Sequence, residues 1–271
     1  MVVYPNAKIN IGLYVTGKRE DGFHNLETIF YPVGIKDILE INRINSAQGV
    51  CLFENTGLQI DCPDDKNLIV RAYKMLASVF SLPAVGVRLH KVIPYGAGFG
   101  GGSADAAFML QALNTYFDLK IPEKNLLNYA ARLGSDCPFF LKNRPLFAGG
   151  MGNEFEETEL SLDDYTIVVV KPDCGLSTSE AYATVTPAPA PFDLRKITEI
   201  PVEQWKEVVR NDFEEQAFER HPEIKRVKER LYGLGALYAS MTGSGSGVFG
   251  IFKQGKGKID ALKGEFIWKS E

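Results

Sequence analysis

The stretch that decides the fold is Pro94-Tyr95-Gly96-Ala97-Gly98-Phe99-Gly100-Gly101-Gly102-Ser103-Ala104-Asp105. Five of the seven positions from 96 to 102 are glycine, and Phe99 is the only large side chain among them. Glycine permits positive φ angles and leaves backbone N–H groups exposed. A helical pattern follows from Ser103, and a helix N-terminus adds unpaired N–H groups and the positive end of its dipole. The stretch therefore predicts a cradle for a di- or triphosphate.

Other interpretations of this stretch are weaker. A flexible linker is possible in principle, but linkers seldom lose every polar side chain just before a well-patterned helix. The spacing Gly96-x-Gly98-x-x-Gly101 spells a dinucleotide fingerprint, yet the surrounding pattern is not a βαβ unit. Residues 250–256 begin like a Walker A loop, but Gly257 stands where a hydroxyl is required. The strings H-R-D and D-F-G of protein kinases do not occur.

The composition is that of a globular chain. It has 271 residues, of which 45% are hydrophobic and 24% are charged. A net charge of -4 offers no general attraction for nucleic acid or for anionic lipid. The sequence lacks a signal-peptide pattern and an apolar run long enough to span a bilayer, which predicts a cytoplasmic protein.

The four cysteines carry no metal-site or redox signature. None is spaced as C-x-x-C, and the three histidines are equally scattered, so spacing gives a zinc site little support. We expect Cys51, Cys62, Cys137 and Cys174 to be buried thiols in a reducing compartment.

Hydrophobic periodicity predicts a mixture of strands and helices in both halves of the chain. Strands are expected near residues 9–15, 24–30, 39–41, 51–53, 85–91, 165–171, 236–241 and 247–252. Helices are expected over 68–80, 103–117, 123–133, 203–219 and 222–233. Strict β-α alternation is missing, so we predict an α+β protein with an N-terminal domain, 1–150, and a C-terminal domain, 151–271.

Three stretches, in order along the chain, resemble the three motifs of the GHMP kinase superfamily. They are the residues 5–13, 94–105 and 241–249. The second follows the pattern P-x-x-x-G-[LF]-G-x-x-S, the superfamily's phosphate loop. The resemblance implies a two-domain GHMP kinase fold with ATP and substrate sites in the inter-domain cleft. It also implies an ATP-dependent kinase that phosphorylates an alcohol.

The segment 16–30 resembles one branch of that superfamily, whose substrate is a cytidine diphosphate-linked methylerythritol. Residues 133–140 and 211–214 resemble the same branch. Departures are mild, since Phe23 replaces the more usual tyrosine and Phe99 the usual leucine. The resemblance implies transfer of a phosphoryl group from ATP to the 2-hydroxyl of this small molecule, with release of ADP. Magnesium would arrive with ATP, because phosphate oxygens supply most of its ligands.

The resemblance also assigns the catalytic residues. Asp136, in a Gly-Ser-Asp-Cys-Pro turn, would accept the hydroxyl proton as general base. Lys8, placed among alternating apolar residues, would keep that carboxylate ionised and stabilise negative charge. Without the resemblance, Asp136 would be interpreted as a helix-capping aspartate and Lys8 as a snorkelling lysine on an edge strand.

For the substrate, Phe23 offers an aromatic face for a cytosine ring, and His24 an imidazole for hydrogen bonds to its edge. A purely structural histidine is the alternative for His24. The resemblance adds Asn10 and Thr178 to the substrate-binding residues.

For the nucleotide, the resemblance implies contacts from Asn67 and from the loop residues Pro94 to Ala104. Asn67 also stands where a helix N-cap belongs. Ser103 fits a phosphate or magnesium contact and equally an N-cap.

Three rival functions are weaker. Another GHMP small-molecule kinase, of the homoserine or mevalonate type, would give Phe23 and His24 no role. A nucleotide-binding regulator without catalysis would not need Lys8 and Asp136. A structural α+β protein would not need three collinear motifs.

Overall fold

The computed structural model describes residues 1–60, 62–256, 262 and 266–270. Within that part of the chain the strands are β1 (Val2–Val3), β2 (Asn6–Lys18), β3 (His24–Lys36), β4 (Ile38–Arg43), β5 (Cys51–Gly57), β6 (Val85–Lys91), β7 (Leu146–Gly149), β8 (Glu154–Glu157), β9 (Tyr165–Lys171), β10 (Tyr238–Met241), β11 (Val248–Lys253) and β12 (Phe266–Lys269). The helices are α1 (Leu68–Ala77), α2 (Gly101–Tyr116), α3 (Glu123–Leu133), α4 (Cys137–Lys142), α5 (Thr178–Thr184), α6 (Trp205–Val208), α7 (Glu214–Arg220) and α8 (Pro222–Gly233). Short 3-10 helices cover Leu194–Glu199 and Val202–Gln204.

Packing divides the chain into two compact units. Unit 1 comprises Met1–Ala7, Gly34–Tyr95 and Gly100–Arg144, and unit 2 comprises Lys8–Val33, Gly96–Phe99 and Pro145–Glu271. These units are defined by packing within the folded chain. The predicted domain boundary near Gly150 divides the chain along its sequence, and it stays a prediction. Part of the predicted C-terminal domain, residues 257–261, 263–265 and 271, lies outside the described residues.

Unit 1 contains one sheet of strand order β1-β4-β6-β5. β4 pairs antiparallel with β6, and β5 pairs parallel with β6, so α1 forms the crossover between β5 and β6. One face of the sheet packs against α1, α2 and α3. The core is formed by apolar side chains from these elements, among them Leu39, Ile41, Ile69, Tyr73, Leu76, Val87, Leu89, Met109, Leu110 and Leu126. Burial of this face accounts for the alternating pattern along β6 and the apolar stripe of α1.

Unit 2 contains two sheets. The first has the order β10-β11-β9-β12 with antiparallel pairing throughout, and α7 and α8 share its apolar core. The second has the order β2-β3-β7-β8. β2 is buried on both faces from Asn6 to Val15, so its even-numbered positions, including Lys8 and Asn10, are as inaccessible as its apolar odd-numbered ones. A buried polar row requires internal partners.

Most predicted elements are confirmed. The helix predicted over 123–133 has those bounds, and each predicted strand is present. The helix predicted over 68–80 ends at Ala77, which leaves Val79 exposed. Within the described residues, no helix combines the length and the apolarity needed to cross a bilayer.

The prediction of one continuous helix over 203–219 is wrong, because residues 209–213, between α6 and α7, are not helical. There Leu13 N–H donates to the Arg210 carbonyl at 3.0 Å, and Asp212 N–H donates to the Leu13 carbonyl at 2.8 Å. The segment therefore bridges to β2 through Asn211 rather than continuing the helix. Long-range backbone pairing outweighs local helical periodicity at this point.

Candidate active site

The glycine-rich loop leads into α2 two residues earlier than the sequence predicts. α2 begins at Gly101, and Gly100 is its N-cap, with a φ of 73° in the left-handed region that favours glycine. No side chain caps this end. The first helical backbone bond runs from Ala104 N–H to the Gly100 carbonyl, at 2.9 Å. The N–H groups of residues 101–103 precede it, which gives the helix an anion-binding end.

The start of α2 also excludes one of the roles predicted for Ser103, that of helix N-cap. Ser103 is the third residue of α2, so the N-cap interpretation is wrong. Its hydroxyl lies near the thiol of Cys137, because a Cβ on Gly134 would lie 3.2 Å from Cys137 Sγ and 3.8 Å from Ser103 Oγ. Burial raises the pKa of the Cys137 thiol to about 12, against a smaller lowering by Ser103. Within unit 1, the end of the loop therefore contacts the turn that carries Asp136.

In unit 2, the loop residues 96–99 pack directly against the turn 242–247. Gly247 N–H donates to the Ala97 carbonyl at 3.0 Å. Gly98 has a φ of 74°, and a Cβ there would overlap the Thr242 carbonyl oxygen. A Cβ on Gly247 would overlap the Phe99 ring. The third sequence motif thus supports the phosphate loop through backbone contact that only glycine allows.

Lys8 is buried on β2, with 2% of its surface exposed, so the snorkelling interpretation is wrong. Its Nζ donates to Asn10 Oδ1 at 2.6 Å and lies 5.1 Å from the centroid of the Phe30 ring. Its backbone N–H donates to the Phe99 carbonyl at 2.9 Å, which joins β2 to the glycine-rich loop. A buried ammonium needs partners inside the protein, and Asn10 is one of them; a role for Lys8 in catalysis stays a prediction.

Asn10 is predicted to bind substrate, and its side chain is already engaged inside unit 2. Nδ2 donates to Thr28 Oγ1 at 3.0 Å, and Oδ1 accepts from Lys8 Nζ and lies 3.3 Å from Thr242 Oγ1. Asn10 N–H donates to Thr242 Oγ1 at 2.9 Å. These bonds orient Lys8, and substrate binding by Asn10 itself stays a prediction. Sequence reasoning missed Thr242, although it lies inside the third motif.

Asp136 immediately precedes α4, and its side chain makes no capping bond to that helix. The capping interpretation is therefore wrong. Asp136 is half-buried, and the hydroxyl of Ser135 lies 3.5 Å from its Oδ1. A role for this carboxylate as general base stays a prediction.

Asn67 is the N-cap of α1, as its position predicts. Its Oδ1 accepts from Ile69 N–H at 2.9 Å, and the residue is buried. A nucleotide contact from Asn67 stays a prediction, and its Oδ1 is committed to the helix end. Unlike the buried Asn67, Tyr95 in the glycine-rich loop has 69% of its surface exposed.

The turn before β3 presents Phe23 to solvent. Arg19 binds Asp21 through Nε and Nη2, and Asp21 Oδ1 accepts from Phe23 N–H at 3.1 Å. Arg19 N–H donates to the Phe23 carbonyl at 2.8 Å, which closes the turn. Phe23 is 63% exposed. An aromatic face held out on an ordered turn suits stacking on a flat ring.

His24 lies in an aromatic cluster rather than alone. Its ring centroid is 5.2 Å from that of Tyr182, which in turn contacts Phe213 edge-to-face at 4.9 Å. Thr178 lies one helical turn before Tyr182 on α5, and its hydroxyl is 3.0 Å from Ser244 Oγ. Sequence reasoning missed Tyr182, whose spacing from Thr178 is the i, i+4 signal that would have found it.

The stretch 211–214 holds the third motif in place. Asn211 Nδ2 donates to the carbonyls of Met241 and Gly243, both at 2.9 Å. Glu214 Oε1 accepts from Met241 N–H at 2.8 Å, while Lys228 binds its other oxygen at 2.6 Å. These bonds explain why polar residues at 211 and 214 are buried. They fix the turn against which the phosphate loop packs.

In unit 1, a buried ion cluster connects the residues just before the glycine-rich loop to α2, which follows the loop. Lys91 Nζ lies 2.5 Å from Asp37 Oδ2 and 2.6 Å from Asp105 Oδ2. Asp37 Oδ1 also accepts from the N–H groups of Val92 and Ile93, just before the loop. Burial raises the pKa of Asp105 to about 7, and the Lys91 ammonium only partly offsets that rise. Two carboxylates thus share one ammonium in a buried site.

Comparison with known proteins defines the class. The pattern of the GHMP kinases N terminal domain matches residues 67–144, and that of the GHMP kinases C terminal domain matches residues 197–265. The chain is a GHMP kinase, and the predicted α+β GHMP fold and small-molecule kinase activity are confirmed.

Full-length relatives narrow the class. A protein of Parabacteroides distasonis named 4-diphosphocytidyl-2-C-methyl-D-erythritol kinase is 50% identical over 94% of this chain and 92% of its own length. One of Porphyromonas gingivalis with the same name is 42% identical over 100% and 99%. A crystal structure of 4-(cytidine 5'-diphospho)-2C-methyl-D-erythritol kinase superposes with a TM-score of 0.79 at 33% identity, covering 93% of this chain and 90% of that one. The chain belongs to the 4-diphosphocytidyl-2-C-methyl-D-erythritol kinase family.

The rival kinases share only the fold. Mevalonate kinase of Methanococcus jannaschii superposes with a TM-score of 0.68 over 99% of this chain and 97% of its own, but at 11% identity. A homoserine kinase of Cytophaga hutchinsonii has a TM-score of 0.59 at 15% identity, over 92% and 85%. The prediction of the particular kinase family over these alternatives is confirmed.

Proposed function

We propose that this chain transfers the γ-phosphoryl group of ATP to the 2-hydroxyl of 4-diphosphocytidyl-2-C-methyl-D-erythritol and releases ADP. The observation that carries the proposal is the phosphate loop itself, in which Gly98 packs against Thr242 and α2 begins without a side-chain cap. This arrangement leaves main-chain amides as the ligands for a polyphosphate. Relatives named for this substrate support its choice.

The loop would hold the nucleotide phosphates through the amides of residues 101–103 and the dipole of α2. Tyr95, largely exposed beside the loop, would cover the nucleoside end. We propose Mg²⁺ as the ion that accompanies ATP, where it neutralises charge on the phosphate oxygens. The residues fit this role, because the backbone N–H groups at the helix end would bind phosphate and leave most of the metal's oxygen ligands to the phosphates. Ser103 has a hydroxyl on the same helix turn that suits a phosphate or metal contact.

Lys8 would neutralise charge that accumulates on the transferred phosphoryl group. Its burial strengthens that interaction, because water cannot screen it. Asn10 accepts a hydrogen bond from the ammonium and so fixes its direction before ATP arrives. Phosphoryl transfer depends chiefly on such positioning and charge stabilisation.

Asp136 would accept the proton of the substrate's 2-hydroxyl as that oxygen attacks the γ-phosphorus. The side chain is half-buried, so part of the carboxylate lies at the surface where a substrate hydroxyl could approach it. Its turn is anchored by the buried Cys137 and by the contact of Cys137 with Ser103. Anchoring limits the movement of the base relative to its own helix.

Phe23 and the cluster of His24 and Tyr182 would bind the cytidine end of the substrate. Phe23 offers its exposed face for stacking, and His24 offers ring nitrogens to the base edge. Thr178 and Tyr182 share a face of α5, so both would contact the same ligand. Phe23 lacks the hydroxyl of the more usual tyrosine, and we propose that stacking alone is required of it.

We place this reaction in the cytoplasm. All four cysteines are free thiols, which suits a reducing compartment. Only Cys137 is buried, so the predicted burial of Cys51, Cys62 and Cys174 is wrong.

The test is ADP release by the purified protein with a panel of alcohols, in the presence of ATP and Mg²⁺. We expect turnover with the cytidine diphosphate-linked methylerythritol and none with homoserine or mevalonate. Product should carry phosphate on the 2-oxygen, which ³¹P–¹³C coupling to C2 and to its methyl carbon identifies. Turnover with mevalonate or homoserine in place of the cytidine derivative would contradict the proposal.

A further inference from the structure

In unit 2, Cys174 comes together with His221 and Glu223, although the cysteine lies far from both in the sequence. The cysteine sulfur, an imidazole nitrogen and a carboxylate oxygen all lie within 4.8 Å of one another. Each of the three residues is half-buried. None of them has a role in the proposed phosphoryl transfer. Spacing alone gave no reason to expect a metal site, because only folding brings this cysteine to the histidine.

The three side chains are held by different elements. Cys174 lies in the connection between β9 and α5, and its carbonyl accepts from Ser246 Oγ at 2.7 Å. His221 is the single residue between α7 and α8, and its N–H donates to the Ala217 carbonyl. Glu223 lies in the first turn of α8, with Oε1 3.5 Å from His221 Nδ1. The site is therefore built by the fold rather than by one flexible loop.

The donor set is that of a borderline-soft divalent cation. Thiolate and imidazole favour Zn²⁺ over Mg²⁺, which takes oxygen ligands in octahedral geometry. We propose that Cys174, His221 and Glu223 form a Zn²⁺ site, with water as the fourth ligand. Metal–ligand bonds of about 2.0–2.3 Å in a tetrahedron require the most distant pair of donor atoms to approach by about 1 Å. His221, at the junction of two helices, is placed to make that adjustment.

Binding is a proton exchange as well as a coordination step. Sulfur binds Zn²⁺ as thiolate, so the Cys174 proton passes to solvent while the sulfur lone pair forms the metal bond. The imidazole contributes the lone pair of one neutral nitrogen, and the carboxylate one oxygen. No electron is transferred, and no further reactant is needed.

The site adjoins the third motif without being part of the phosphate loop. Cys174 is tied to Ser246 in the turn 242–247, and Thr178, on the helix that follows, is tied to Ser244. A metal at Cys174 would therefore add a further restraint to the segment 174–178. We expect Zn²⁺ to raise the thermal unfolding temperature of the protein by stabilising this segment.

Cobalt(II) titration of the tag-free, full-length protein tests the site. Co²⁺ binds in the same geometry as Zn²⁺, and a thiolate ligand produces a near-ultraviolet charge-transfer band. We expect that band in the presence of excess Mg²⁺, and we expect Zn²⁺ to abolish it by displacement. Because this readout needs neither ATP nor substrate, its failure is separate from failure of the proposed kinase activity. Absence of the band in the folded protein would overturn the proposal.

Variants identify the ligands. Cys174→Ser should abolish the band, whereas Cys62→Ser, at another partly exposed thiol, should leave it unchanged. Removing even an outer partner of a metal ligand costs about 10–100-fold in metal affinity, so His221→Ala and Glu223→Gln should cost at least as much. If Cys174→Ser does not fold, these two variants decide the question. A band that survives in Cys174→Ser, or unchanged affinity in both of the others, would show the cluster to be a hydrogen-bonded polar group only.

Discussion

Gly98 approaches Thr242 so closely that a Cβ on the glycine would overlap the threonine carbonyl oxygen. Thr242 Oγ1 meanwhile donates to the Gly98 carbonyl and accepts from Asn10 N–H. One residue of the third motif thus joins the phosphate loop to the strand that carries Lys8. The contact explains why motifs so distant in sequence are required together: each supplies backbone that another needs at close range.

Gly98→Ala should destabilise the protein, because it adds this overlap to an unfavourable φ of 74°. The unfavourable φ alone should lower the free energy of unfolding by about 1–3 kcal/mol, and the overlap should add to that loss. Urea titration measures it. Gly102→Ala is the matched control, since a Cβ there meets no atom within 4 Å and lies on a helix. It should retain stability but raise the KM for ATP, because the methyl group occupies the space proposed for phosphate. Equal stability loss in both variants would contradict the close-packing argument.

Asp136→Asn should lower kcat by about 10²–10⁴-fold, the usual effect of losing a general base. The KM for each substrate and the thermal unfolding temperature should change little, because asparagine keeps the size and shape of the half-buried side chain. Steady-state kinetics and a thermal melt measure both. Ser135→Ala, at the exposed neighbouring residue, serves as the control and should keep nearly normal kcat. Near-normal kcat in Asp136→Asn would remove this carboxylate from the proposed mechanism.

Substitution of two exposed aromatic residues, Phe23 and Tyr95, should raise the KM of a different substrate in each case. Phe23→Ala should raise the KM for the cytidine substrate by about 5- to 100-fold, the range expected for loss of one base–aromatic stack. Phe23→Tyr should restore it, since the stacking face is retained. Tyr95→Ala, equally exposed, should raise the KM for ATP instead. Should Phe23→Ala affect ATP rather than the cytidine substrate, the proposed orientation of the two ligands would be reversed.

Asp105 should make stability fall as pH rises. Burial raises the pKa of its carboxyl group from 3.8 to about 7, so between those values the folded protein binds a proton that the unfolded chain releases. Its contribution to the free energy of unfolding is therefore complete below pH 3.8 and is lost as pH rises to about 7.

Urea titrations of the wild-type protein and Asp105→Asn across this pH range test the effect. The stability advantage of the wild type over the variant should shrink steadily as pH rises. Asp65→Asn, at an exposed carboxylate of the same unit, is the control and should show a flat difference. An advantage that grows with pH would mean that Lys91 holds Asp105 ionised in the folded protein.

Local pattern predicted most elements because strand and helix periodicities involve neighbours two to four residues apart. It failed where distant backbone intervened. The helix predicted over 203–219 breaks at Asn211, which pairs with Leu13 on β2. The alternation of Ile9, Ile11 and Leu13 predicted a strand, and alternation alone does not reveal that β2 is buried on both faces. Neither outcome is encoded in a local window, because each depends on what another part of the chain presents.

The amino-acid sequence by itself determined the α+β class, the phosphate loop and the kinase family, since these depend on residue types in fixed local order. The tertiary structure alone decided which side chains act on one another. It placed Asn10 and Thr242 against Lys8 and the loop, Tyr182 against His24, and two carboxylates around Lys91. Pairing of buried polar groups is a long-range consequence of packing, because each must find its partner within the core or lose the free energy of its hydration.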